Sequence, residues 1–167
     1  MNIRPANAID VPAVQAVNRA AYAMYVPRMG REPAPMSADY AALVAAGETW
    51  VGIEDGRVAG VLVIRPVDGE LFLENVAVVP ARQGRGDGRA LMSFAEGHAR
   101  ELGLEAVVLY TNEAMAENLA FYRRLGYVET ERRVEDGYRR VLFRKRVHPE
   151  DAFSSAAVAI ERGSATE

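Results

Sequence analysis

Apolar residues in the first part of the chain return at helical intervals. Val11, Val14, Val17, Ala21 and Met24 fall on one face, which predicts an amphipathic helix behind a short opening strand over residues 2–4, with Asp10 as its N-cap. Residues 25–35 contain Pro27, Gly30, Pro33 and Pro35. These interrupt regular structure, so a loop is expected there, followed by a second helix capped by Ser37 or Asp39 and ending near Gly47. From Trp50 the period changes. Residues 50–54 and 58–64 flank Asp55-Gly56, and Asp68-Gly69 precedes a further strand over 71–79. An Asp-Gly pair accepts the positive φ values of a tight hairpin turn, so three antiparallel strands in a meander are predicted.

A helix within 84–103 places Ala90, Leu91, Phe94, Ala95 and Leu102 on its apolar side, and 106–110 is a continuous apolar run of the buried-strand kind. Residues 118–125 predict another helix, stopped by Gly126. A last hairpin of 127–134 and 138–147 turns at Asp136-Gly137. The element order is β α α β β β α β α β β, an α/β chain of the α+β kind. One domain over residues 1–148 is expected. Residues 149–167 are rich in Ser, Ala and Glu and read as a frayed tail, in which 152–160 forms at most a weak helix.

Composition narrows the chemistry. A chain of 167 residues, half of them apolar, can bury one sizeable core. Its 20 basic and 23 acidic residues are interspersed and sum to −3, so no global field favours nucleic acid or a membrane surface, and any anion site has to be local. Cysteine is absent, which removes disulfides, thiolate catalysis and cysteine metal sites. His98 and His148 share no metal-ligand spacing; no metal is expected, and His98 reads as a surface or half-buried helix residue. Residues 1–10 lack the apolar core of a signal peptide, and no run approaches the ~18 apolar residues of a membrane span. A cytoplasmic protein is the expectation.

The local anion site is Gln83-Gly84-Arg85-Gly86-Asp87-Gly88, between a strand and a helix. Glycines there let backbone N–H groups approach phosphate oxygens, and the helix start turns its positive end toward them. Arg82, Arg85 and Arg89 add positive charge. A tight turn with no ligand would also use such glycines. A dinucleotide-binding unit would need an acid at the end of the next strand, which here ends in Tyr110-Thr111-Asn112, with Glu113 one residue beyond. The lysine of a P-loop is missing, since Arg89 and Ala90 follow Gly88.

The wider pattern is Leu73-Glu74-Asn75-Val76-Ala77-Val78-Val79-Pro80, the loop, and Ala90-Leu91-Met92. It resembles motif A of the GNAT N-acetyltransferases. Leu109-Tyr110-Thr111-Asn112, with Asn118, Ala120, Phe121-Tyr122 and Leu125-Gly126-Tyr127, resembles their motif B. The resemblance covers about residues 2–147. It implies a mixed, mostly antiparallel sheet of about seven strands flanked by about four helices, and acetyl-CoA as donor. By the same resemblance, backbone amides from Arg85 through Gly86, Asp87 and Gly88 to Arg89 hold the CoA pyrophosphate, with Gln83 and Gly84 at the loop entrance. Val76, Ala77 and Val78 match the fourth-strand positions that pair with pantetheine where the fourth and fifth strands splay at a bulge.

Direct acyl transfer needs a base for the amine and an acid for the departing thiolate. Glu74 matches a family carboxylate that deprotonates the amine, and is otherwise a solvated strand residue. Tyr122 matches the family's general acid, and is otherwise core packing beside Phe121. Asn118 matches a cofactor hydrogen-bonding position, and also reads as a helix N-cap. Asp87 departs from the family's aliphatic residue; an acid at a phosphate loop is adverse unless its side chain points away, so Asp87→Ile is expected to tighten acetyl-CoA binding. The acceptor, a small-molecule or peptide amine, is expected between the first two helices and the last hairpin. There Tyr22, Tyr25, Arg28 and Tyr138 are candidate contacts, and Arg28 with Arg31 could meet a carboxylate or phosphate or form a solvated basic turn. A non-catalytic acyl-CoA sensor and another kind of nucleotide-binding domain are the alternatives, and exposed strand edges leave a homodimer open.

Overall fold

The computed structural model describes residues 1–147; the boundary at residue 148 and the weak helix over 152–160 lie outside the described residues. The strands are β1 Asn2–Pro5, β2 Thr49–Glu54, β3 Arg57–Val67, β4 Glu70–Val78, β5 Ala106–Asn112, β6 Val128–Glu135 and β7 Tyr138–Arg146. They form one sheet in the order β1-β2-β3-β4-β5-β7-β6. All neighbours are antiparallel except β4 and β5. The three hairpins turn where the Asp-Gly pairs predict. Asp55, Gly56, Asp68, Gly69, Asp136 and Gly137 all have positive φ, as type I′ turns require.

The helices are α1 Val11–Tyr22, the single turn α2 Val26–Met29, α3 Tyr40–Ala45, α4 Asp87–Glu101 and α5 Ala116–Arg124. Residues 25–35 are therefore not wholly loop. Pro27 lies in the first positions of α2, where its missing N–H removes no helical bond, and Gly30 at φ 69° ends the turn. Asp39 caps α3 through Ala42 N at 3.1 Å. Asp10 does not cap α1 with its side chain. Its carboxylate instead accepts from Asn7 N at 2.8 Å and pairs with Arg4 at 2.7 Å. Met115, not Asn118, occupies the N-cap of α5, so Asn118 lies within that helix.

One face of the sheet packs α1 and α3 over Val51, Val61, Val63 and Ala77, and the other packs α4 and α5 over Leu62, Leu71, Leu73, Val107 and Leu109. Met24 and Leu102, which periodicity assigns to apolar faces, are 45% and 49% exposed because each stands at or past the end of its helix. His98 is half-buried, with its ring edge-on to Trp50 at 5.3 Å. No helix among the described residues is long and apolar enough to cross a membrane.

The sheet is interrupted at one place. Opposite β4, Val63 pairs with Asn75 and Ile64 pairs with Leu73, which leaves Glu74 as an extra residue. Such a bulge bends its strand and strengthens the local twist. β4 meets β5 only from Leu71 to Leu73, opposite Val107 to Leu109. Beyond Leu73 the two strands diverge.

Candidate active site

Two cavities open where β4 leaves β5. An elongated groove of about 520 Å³ runs between Val76, Ala77 and Val78 on one side and Asn118, Phe121 and Tyr122 on the other, and reaches Gln83, Gly84, Gly86, Gly88 and Arg89. A smaller cavity of about 140 Å³ continues past Glu74 under Tyr40, Tyr110 and Tyr138. The two share Tyr22, Val76, Asn118 and Tyr122. They therefore meet at the Tyr122 side chain.

The loop at the groove's end is built by backbone conformation. Gly84 and Gly86 have φ of 78° and 89°, the left-handed region in which a Cβ is strained. Gln83 anchors the loop, its Nε2 donating to Val78 O at 3.1 Å. α4 begins at Asp87 with Gly86 as N-cap, so its unpaired N–H groups and positive dipole end face the groove mouth. Arg85 and Asp87 do not line the groove, whereas Arg89 does.

Asp87 points elsewhere. The residue is 6% exposed and its carboxylate pairs with Arg82 Nε at 2.5 Å, while Arg82 Nη2 lies 3.7 Å from Glu54. The pair closes across Gln83 to Gly86 like a clasp. With its carboxylate turned onto Arg82 and away from the groove, the ground for expecting Asp87 to repel a pyrophosphate is removed; Asp87→Ile would leave Arg82 with Glu54 at 3.7 Å. The Arg82 guanidinium holds the Asp87 carboxyl below the usual carboxylate range. A depressed pKa contributes stability above the unfolded value, about 3.9, and that contribution is lost as pH falls through the folded one. Asp87→Asn is expected to lower the melting temperature by about 2–4 °C at neutral pH, with the difference fading below about pH 4. Melting curves across that range check it; a constant difference would mean that the charge is not responsible.

Glu74 sits on the bulge with its carboxylate 3.0 Å from Arg65 Nη2, and Arg65 also reaches Glu48 at 3.3 Å. The bulge turns Glu74 toward the smaller cavity. Across the meeting point Tyr122 is 5% exposed, and its hydroxyl takes no hydrogen bond among the described residues and opens on the cavities. Burial pushes the Tyr122 phenol well above its ordinary pKa, so it is neutral at physiological pH. Among the described residues no group of His, Asp or Glu is placed to hold a metal ion.

Residues 13–127 match the sequence model of the acetyltransferase (GNAT) family. The chain belongs to that family. The mycothiol acetyltransferase of Tsukamurella paurometabola is 34% identical over 139 residues, covering 75% of this chain and 47% of the relative. The chain thus spans about half or less of the length of the curated relatives it matches. The ribosomal-protein-S18-alanine N-acetyltransferase of Escherichia coli superposes with a TM-score of 0.69 at 22% identity, covering 88% of this chain and 94% of that one. The paia N-acetyltransferase of Thermoplasma acidophilum, in complex with coenzyme A, superposes at 0.72 with 12% identity, covering 87% and 98%. These two likenesses speak to the fold.

Within this GNAT frame the residues expected at the acceptor separate. Tyr22 reaches both cavities, its hydroxyl 2.8 Å from Asn75 Oδ1 and 3.0 Å from Val76 O. Tyr138 lines the smaller cavity, Tyr25 lines only the groove, and Arg28 lies outside both, paired with Glu117 at 2.7 Å. The sequence reading missed a buried amide network. Asn75 Nδ2 donates to Asn18 Oδ1 at 2.6 Å and lies 3.2 Å from Tyr40 Oη, which donates to Pro35 O. Asn18 Nδ2 in turn donates to Val14 O at 2.9 Å. The network ties α1 and the turn before α3 to the bulge. Its only signal in the sequence is a pair of asparagines at positions that periodicity makes apolar.

Proposed function

We propose that this chain is an acetyl-CoA-dependent N-acetyltransferase acting by direct transfer on a primary amine of a small molecule or peptide. The observation that carries this reading is the junction of a long groove and a small cavity at Tyr122, with Glu74 on the cavity side. The groove suits the donor. On the side turned away from β3, the β4 backbone from Glu74 to Val78 has no strand partner and can hydrogen-bond amides, although Val76 O already accepts from Tyr22 and Val78 O from Gln83. The loop at Gly84 to Gly88 and Arg89 suits a pyrophosphate, and Asn118 stands beside the junction.

Acetyl-CoA, when bound, supplies the thioester whose C–S bond breaks as the amine nitrogen bonds to the carbonyl carbon. Glu74 accepts the proton the amine loses, directly or through water. Tyr122 donates a hydrogen bond to the leaving sulfur. Its raised pKa makes it a weaker acid than a thiol, so it stabilises the thiolate without parting with its proton for good. Glu74 then releases its proton to water and the CoA thiolate takes one up from water, so the proton lost by nitrogen is balanced by the one gained by sulfur. A module that only senses acyl-CoA would need the groove but not a second cavity against Glu74.

Acetyl-CoA at a hundred times its dissociation constant is expected to raise the melting temperature by about 5–10 °C, and NAD not at all. Gly86→Val should abolish most of that shift, because valine cannot take φ 89° without strain. A shift with NAD alone would sink the reading. Release of free thiol across an amine library then separates an enzyme from a sensor.

A further inference from the structure

A third cavity of about 320 Å³ lies beside the acceptor cavity and shares Met29, Asn112 and Tyr138 with it. Arg28, Arg31 and Arg139 line it, against a single carboxylate, Glu113. That carboxylate is already engaged by Arg132 at 3.0 Å and lies 3.9 Å from Arg139. Arg28 is spoken for by Glu117. Arg31 is different: among the described residues it pairs with no carboxylate. Its Nη1 donates to Asp136 O at 2.8 Å, and its guanidinium carbon lies over the Tyr138 ring, 3.8 Å from the ring centre. Tyr138 is itself fixed by donating to Glu32 O at 2.9 Å.

A guanidinium held over an aromatic ring, with one donor used among the described residues, is preorganised for a planar or tetrahedral oxyanion. Local positive excess in a chain of net charge −3 also needs a reason. We propose that this third cavity is an anion subsite of the acceptor. The amine to be acetylated lies between Glu74 and Tyr122, and a carboxylate or phosphate at the far end of the same molecule is held by Arg31, with Arg139 and Arg28 around it. The acceptor is then a compact molecule bearing an amine at one end and an oxyanion at the other. This rests on the acyl-transfer reading above and narrows its substrate.

The experiment compares ω-amino acids of graded length, their methyl esters and the matching aminoalkyl phosphates on CoA-saturated protein by calorimetry, and on acetyl-CoA by thiol release. At the best length the acid or the phosphate is expected to exceed the ester about tenfold in affinity and in kcat/KM, the scale of one charge-assisted hydrogen bond. Whichever of the two is preferred identifies the anion. Arg31→Gln should bring the ratio toward one through KM and not kcat, and Arg31→Lys should keep part of it. Equal binding of acid and ester in the parent, or a preference that survives Arg31→Gln, would overturn the subsite. Preferential binding of the anionic amines with no acetylation of any amine would leave the subsite standing and sink the enzymatic reading instead.

Discussion

Tyr122→Phe is expected to lower kcat by about a hundredfold while acetyl-CoA affinity stays near the parent's. The ring does the packing: it contacts Phe121, Tyr127 and Phe143 at centroid distances of 5.4, 6.0 and 5.8 Å. Phenylalanine keeps those contacts and removes only the hydroxyl, which has no hydrogen-bond partner to strand among the described residues. The loss therefore falls on the transition state, where charge gathers on the leaving sulfur, and not on the ground state. Steady-state kinetics together with a melting curve test this. A variant that melts like the parent and turns over at the parent's rate would remove Tyr122 from the chemistry and return it to the core.

Glu74→Gln is expected to cost a comparable factor, about a hundredfold in kcat/KM, for a different reason. The amide is isosteric and stays on the bulge, but it cannot accept a proton. It also leaves Arg65 with Glu48 alone, so a small loss of stability accompanies the loss of rate. Acetylation by acetyl-CoA of amines of decreasing basicity separates the two effects. An amine that is already neutral at the assay pH needs no base and should recover much of the lost rate, whereas a purely structural defect would slow every amine alike. A uniform slowing would sink the assignment.

Local chemistry made part of this molecule legible in its sequence. The three Asp-Gly turns need only their own φ values, and the loop between β4 and α4 is written in glycines, whose φ at Gly84 and Gly86 would strain most other residues. Features that depend on distant partners were not legible. The hairpin of β6 and β7 is obvious as a hairpin, yet nothing local says that β7 and not β6 borders β5. That choice follows from Val141 and Phe143 reaching the same core as Leu109. The single turn α2 lies in a proline-rich stretch and buries no residue; it is tied to the rest through Met29 against the core and the Arg28–Glu117 pair, which propensity does not report. Asp87 looked adverse because its partner, Arg82, lies across a loop whose closure the sequence does not describe. Asn18 and Asn75 stand at positions that periodicity makes apolar, and each supplies the partner the other needs there.

The divergence at Glu74 also gives the molecule a mechanical character. It divides the sheet into two leaves, β1 to β4 and β5 with β7 and β6, joined along a spine of three residue pairs at Leu71 to Leu73. On one side of that spine α4 acts as a brace, setting Leu91, Met92 and Ala95 against Leu71, Leu73, Val107 and Leu109 across both leaves. On the other side the stretch between α1 and α3 crosses from one leaf to the other, with Arg31 donating to Asp136 O, Tyr138 donating to Glu32 O, and Arg28 paired with Glu117. The leaves are thus tied at both faces while their inner margin stays parted, so a molecule lying along that margin meets a slot whose width the fold has already set.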